Sequence, residues 1–162
     1  MNEVSFIRMV ELIDYVDKYA PEFKRINLEW LDKYHLTEVP DLRILDDPRG
    51  TILNSGGVIY LARANGMIVG SAALINEHNG VYELAKMAVI PHWQGKGISN
   101  LLIERCLNKA RELKAKKVIL FSNHQLQSAL GLYRKYGFER VELTDSPFQT
   151  ADVRMELVIQ GD

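Results

Sequence analysis

Two Asn-Gly pairs constrain this chain most. Asn65-Gly66 separates the β-forming run Val58 to Ala64 from Met67 to Ile75, and Asn79-Gly80 precedes a third run, Tyr82 to Ile90. Asn-Gly is the commonest two-residue hairpin signal, because both residues accept the positive φ that such a turn demands. Three consecutive antiparallel strands therefore lead up to Pro91. After Gly97 the period changes. Ile98, Leu101, Leu102, Cys106, Leu107, Ala110 and Leu113 recur on one helical face, with Asn100, Glu104, Asn108, Lys109 and Glu112 opposite. Val118 to Phe121 then reads as a buried strand, and a strand, helix, strand order of this length implies a parallel crossover between neighbours. A helix from Ser128 to Tyr136, ended by Gly137, and strands over Phe138 to Leu143 and Val153 to Val158 close the pattern. The fold class is α/β, with a mixed, mostly antiparallel sheet.

Upstream, Ile7 to Ile13 reads as a first strand, and Pro21 suits the first turn of a helix. In that helix Phe23, Ile26, Trp30, Leu31 and Tyr34 recur at three- and four-residue spacing, an aromatic stripe. Thr37 to Asn54 reads as a short helix and loops. No repeat or Pro- or Ser/Gly-rich linker interrupts the 162 residues, so one domain over 1–162 is expected.

Composition narrows the function. Twenty Lys+Arg against twenty-one Asp+Glu leave a formal charge of −1, which argues against a nucleic-acid surface and requires any bound anion to be held locally. Cys106 is the only cysteine, so no internal disulfide or CxxC pair can form. His35, His78, His92 and His124 are scattered without metal-ligand spacing, and no metal is expected. The apolar runs fall far short of the roughly 20 residues of a membrane helix, and the amino terminus lacks a signal-peptide core. A cytoplasmic protein with no membrane partner is the expectation.

The segment richest in chemistry runs from Glu83 to Asn100, a strand passing through Gln94-Gly95-Lys96-Gly97 into a helix. Glycines let backbone approach a ligand, and the unpaired N–H groups of a helix start, with its positive dipole end, attract phosphate. The same residues could also be only a tight strand-to-helix turn. A Walker A loop fails because Gly97 follows Gly95-Lys96 where Ser or Thr is needed after Lys, and a dinucleotide fingerprint fails at Asn100.

Taken together, these residues resemble the GNAT (GCN5-related) acyltransferase family. Val89-x-Pro91-x-x-Gln94-Gly95-Lys96-Gly97-Ile98 is similar to the family's acyl-CoA loop, and Ala129-Leu-Gly-Leu-Tyr133-Arg-Lys-Tyr-Gly137-Phe138 to its later helix. Order and spacing also agree, and the resemblance covers Val58 to Leu157. Thr150 to Leu157 resembles the closing strand of a bacterial branch known mostly as generic N-acetyltransferases. The resemblance implies a sheet of six to seven strands flanked by helices, with acyl-CoA in a splay between strands four and five.

It also implies roles, residue by residue. Backbone of Met87, Ala88 and Val89 would hold the pantetheine arm. The loop that Gln94 opens, from Gly95 through Lys96, Gly97, Ile98 and Ser99 to Asn100, would bind the pyrophosphate. Lys96 either reaches a CoA phosphate or is simply solvated, and Asn123 either contacts the cofactor or caps a turn. Tyr133 would be the general acid beside the CoA sulfur, with a packing tyrosine as the plain alternative. Glu83 would be the base that deprotonates the amine, unless it is a strand-end glutamate in solvent or paired with Lys86. Trp30, Tyr34, His35 and Phe148 would line the acceptor site, with a core role as the alternative for Trp30.

The expected activity is acetyl transfer from acetyl-CoA to a primary amine of a small molecule or peptide, by direct attack in a ternary complex. The alternative is an acyl-CoA-holding sensor or scaffold without turnover; the presence of both Tyr133 and Glu83 favours the enzyme. A homodimer is compatible with either reading.

Overall fold

A computed structural model of the chain describes residues 9–144 and 146–159. Its strands are β1 (Val10–Asp14), β2 (Val58–Ala64), β3 (Met67–Asn76), β4 (Val81–Val89), β5 (Lys117–Ser122), β6 (Glu139–Val141) and β7 (Val153–Val158). They form one seven-stranded sheet in the order β1-β2-β3-β4-β5-β7-β6. The β4–β5 pair is parallel and the other pairs are antiparallel. Asn65 and Gly66 both take positive φ, 51° and 78°, as the β2–β3 turn requires.

Among the described residues four α-helices flank the sheet: α1 (Ala20–Lys33), α2 (Val39–Asp46), α3 (Ile98–Glu112) and α4 (Gln127–Lys135). Both faces of the sheet are covered, so β2 alternates between two cores. Tyr60, Ala62 and Ala64 join Leu102, Ile103 and Cys106 of α3, whereas Ile59 and Leu61 join Phe23, Ile26 and Leu45 of α1 and α2. Burial pushes the Cys106 thiol up to about 12, as befits a core side chain.

Several boundaries differ from those the sequence suggests. The first strand begins at Val10, and Ile7 lies outside the described residues. β6 is only Glu139–Val141, short of Phe138 to Leu143, and it pairs with Arg154 to Glu156 of β7. On α3 the buried stripe centres on Leu102, Cys106 and Ala110 and takes in Ile103, leaving Leu101 outside it. The α1 stripe divides: Phe23 and Ile26 are buried, but Trp30, Leu31 and Tyr34 remain partly exposed. They line the space where β4 and β5 have separated, which offers no sheet surface to pack on.

Candidate active site

The parallel ladder between β4 and β5 extends only from Val81–Lys117 to Glu83–Ile119. Beyond Glu83 the strands part. On its other edge β4 carries a bulge, because the register against β3 shifts between Ser71 and Ala73. Lys86, at the bulge, has φ 53°, a left-handed conformation that costs a non-glycine residue on the order of 1–2 kcal/mol. Side chains buried beneath the bulge hold it. The Ser71 hydroxyl donates to the Lys86 carbonyl at 2.6 Å, and the Asn27 amide on α1 donates to Ser71 Oγ at 3.0 Å. The Lys86 ammonium pairs with Asp41 of α2; the two side chains are only 6% and 3% exposed. The same ammonium stands 5.3 Å from the Phe148 ring centre.

Asp41 is itself fixed by a reciprocal cap at the start of α2, where its Oδ2 accepts from the Glu38 backbone N–H at 2.9 Å. Glu38 then ties α2 to the β6–β7 connection, accepting from the backbone N–H groups of Gln149 (2.8 Å) and Thr150 (3.0 Å) and from the Thr150 hydroxyl (2.6 Å). Burial works to raise the Glu38 pKa, but those hydrogen bonds outweigh it and hold it below the ordinary carboxylate value. One wall of the site is thus braced by charge-assisted bonds.

Two cavities open into the splay. The larger, of about 400 Å³, is lined by Met87, Ala88 and Val89 and runs along the start of α3 toward α4. Gly95 and Gly97 have φ 74° and 86°, and Gly97 caps α3 with no side-chain hydrogen bond. Leu101 N–H makes the first intrahelical bond, to the Gly97 carbonyl at 3.2 Å, so the helix itself supplies no acceptor for the amides of Ile98, Ser99 and Asn100. The Gln94 side chain donates to the Val89 carbonyl at 2.8 Å and pins the loop to the end of β4. Beneath it lies Gly70 of β3, where an added Cβ would approach the Ala88 carbonyl and Leu102 Cδ1 to 3.2 Å. The helix start seats closely because Gly70 has no side chain.

The smaller cavity, of about 120 Å³, includes Glu83, Asp41, Lys86, Phe121, Asn123 and Phe148 in its wall. Trp30, Met87, Leu126 and Tyr133 line both cavities, so the two spaces meet at those four side chains.

Most of the predicted residues come together. Gln94, Gly95, Gly97, Ile98, Ser99, Asn100 and Tyr34 line the larger cavity, and Phe148 the smaller. Lys96 is half-buried beside the groove but is not part of its lining. Asn123 belongs to the smaller cavity, and its amide is engaged locally: Nδ2 donates to the Thr150 carbonyl at 2.7 Å and Oδ1 accepts from Gln125 N–H at 3.0 Å. Leu126, three residues on, reaches both spaces. His35 is exposed with φ 56° at the end of α1 and lines neither cavity. Asn27, Asp41, Ser71 and Lys86 were not legible as site residues. The faint signals were a lysine inside a β-forming run and a polar residue on the α1 stripe.

Two of the predicted site residues have raised pKa values. Glu83 is 6% exposed. Burial first, then the neighbouring Glu77 carboxyl that hydrogen-bonds to it, raise its pKa to about 8 against the opposing pull of Lys86. Tyr133 is partly buried, its ring meeting Phe138 edge-on at 6.0 Å, and desolvation raises its phenol to about 12. Near neutrality both groups therefore carry protons, Tyr133 at the junction and Glu83 in the wall of the smaller cavity.

Among the described residues no helix is long and apolar enough to cross a membrane. An uncharacterized N-acetyltransferase of Mycobacterium tuberculosis is 36% identical over 95 residues, 59% of this chain and 56% of that protein. One from Escherichia coli K12 is 29% identical over 60% of each. The chain thus aligns with little more than half the length of these relatives. An acetyltransferase of Staphylococcus aureus Mu50 shares the fold with a TM-score of 0.86 at 23% identity, covering 93% of this chain and 99% of its own. So does the PaiA N-acetyltransferase of Thermoplasma acidophilum, solved with coenzyme A, at TM-score 0.73 and 18% identity over 93% and 99%. The family model for the acetyltransferase (GNAT) domain matches residues 55–140, more than half of the 162, and spans the hairpins, the glycine loop and the Tyr133 helix: this chain belongs to the GNAT acetyltransferases.

Proposed function

We propose that the protein transfers the acetyl group of acetyl-CoA to a primary amine by direct attack, with the thioester in the larger cavity and the amine in the smaller. The observation that carries this reading is the meeting of the two cavities at Trp30, Met87, Leu126 and Tyr133. The residues present fit acetyl-CoA. Amides from Gly95 to Asn100, at a helix start freed from side-chain capping, receive the pyrophosphate, and the parted edge of β4 at Met87 to Val89 receives the pantetheine arm. When bound, acetyl-CoA supplies an activated acyl group on sulfur.

Glu83, once ionised, takes the proton of the incoming ammonium. A lysine-like amine has a pKa near ~10.4, so transfer to an ordinary carboxylate at about 4.5 would cost roughly 8 kcal/mol. With Glu83 raised to about 8, the same transfer costs roughly 3 kcal/mol. A β4 amide donates to the thioester carbonyl oxygen, where negative charge grows. Tyr133 donates a hydrogen bond to the departing sulfur. With its phenol near 12 and a thiol near ~8.5, complete proton transfer would be uphill by roughly 5 kcal/mol, so stabilisation through the hydrogen bond is its main contribution.

Acetyl-CoA incubated with the protein and a mixture of amines should release free thiol only when an amine is present. Calorimetric binding of acetyl-CoA with no amine-dependent thiol would instead identify a holding module.

A further inference from the structure

We propose that the acceptor is a small monoamine, a primary amine on one aromatic or branched aliphatic body with no second charge, and that the buried Asp41–Lys86 pair excludes acceptors carrying a carboxylate or a second ammonium. The inference rests on the acyltransferase reading above and concerns only what enters the smaller cavity.

Size and wall chemistry set the body. About 120 Å³ is close to the roughly 150 Å³ of an engineered apolar cavity that admits benzene, so the space suits about one ring. Trp30, Leu31, Leu36, Phe121, Leu126 and Phe148 give it apolar and aromatic faces, beside the uncharged polar Ser122, Asn123 and Thr150.

Charge accounting sets the rest. Among the described residues lining this cavity, the acidic and basic side chains are Asp41, Glu83 and Lys86. Asp41 and Lys86 neutralise each other, and both are almost wholly buried. Once it has lost its own proton, Glu83 is therefore the carboxyl in this wall left to receive a cation, and one ammonium satisfies it. A second ammonium would find no further acidic side chain in the cavity wall, since Glu77 is hydrogen-bonded to Glu83 and is not part of that wall. A carboxylate on the acceptor would find the Lys86 charge already taken, and would place two carboxylates around one ammonium away from water. The Asp41 brace reinforces this exclusion. Its carboxylate is held at both oxygens, Oδ2 by the Glu38 N–H of the α2 cap and Oδ1 by Lys86.

The test compares kcat/KM for three acceptors with acetyl-CoA: phenethylamine, phenylalanine, which adds a carboxylate to the same body, and putrescine, which adds a second ammonium. Phenethylamine should exceed each of the others by about tenfold or more, the effect of one unfavourable charge contact of roughly 1.4 kcal/mol. Asp41→Asn keeps an oxygen for the cap and frees Lys86, and should move the ratio toward phenylalanine by about tenfold. Lys86→Met leaves Asp41 unpaired and should move it toward putrescine. Phenylalanine or putrescine serving the unaltered protein as well as phenethylamine would overturn the inference while leaving the acyltransferase reading intact. Thiol release with none of the three nor a peptide amine, with acetyl-CoA still bound by calorimetry, would overturn both. The panel on the unaltered protein decides even if a variant does not fold.

Discussion

Replacing Glu83 with Gln removes a titrating group from a buried part of the site while keeping its shape. A carboxyl with pKa about 8 in the folded protein, against 4.5 for its model value, keeps its proton through neutral pH while the unfolded chain loses it. The folded state then binds more protons than the unfolded one between those two values, so stability falls as pH rises through that window. Between pH 5 and pH 8.5 the loss from this one group integrates to about 4 kcal/mol. Gln cannot titrate, so the stability difference between Glu83→Gln and the unaltered protein should shift in the variant's favour by up to that amount. For a chain of this length about 4 kcal/mol corresponds to roughly 10 °C in Tm. Thermal melts of both proteins across this pH range, taken as a difference of differences, cancel the titrating groups that do not interact with Glu83. A gap that stays constant with pH would refute the buried, protonated Glu83 and with it the matching of its pKa to an amine.

Three further outcomes follow from the same geometry. The pH profile of kcat/KM should show a break near pH 8 that Glu83→Gln lacks, because Glu83 accepts the amine proton only after losing its own; superimposable profile shapes would remove Glu83 from that role. Tyr133→Phe should lower turnover by on the order of 10²-fold, with CoA affinity in calorimetry nearly unchanged, and an unaltered rate would leave Tyr133 a packing residue. Gly97→Glu should abolish CoA binding, since it sets a carboxylate against the pyrophosphate and forces a side chain onto φ 86°; retained binding would place the pyrophosphate elsewhere.

What the sequence made legible was local. The hairpins at Asn65-Gly66 and Asn79-Gly80, the α3 period and the left-handed Gly137 depend on neighbours in the chain, and they gave the sheet class and the glycine loop. The splay itself came from family resemblance. Its support did not come through, because it joins distant residues: Asn27 reaches Ser71 across 44 positions, and Lys86 reaches Asp41 across 45. Nothing in a β-forming run marks Lys86 as left-handed, since the bulge that turns it arises only when β3 pairs with β4. Trp30 shows the other limit. Its spacing places it on the apolar stripe of α1 correctly, but whether that stripe meets sheet or empty space depends on where β4 and β5 part. His35 follows Tyr34 directly, yet the left-handed turn at the end of α1 carries it away from both cavities.

A crystal structure with coenzyme A bound would test the central claim most directly, because it locates both ends of the ligand at once. The account predicts the pyrophosphate on the amides between Gly95 and Asn100, and the sulfur at the junction of Trp30, Met87, Leu126 and Tyr133, within hydrogen-bond reach of the Tyr133 hydroxyl. A pyrophosphate held away from the start of α3, or a sulfur on the far side of the splay from Glu83 and Tyr133, would contradict it.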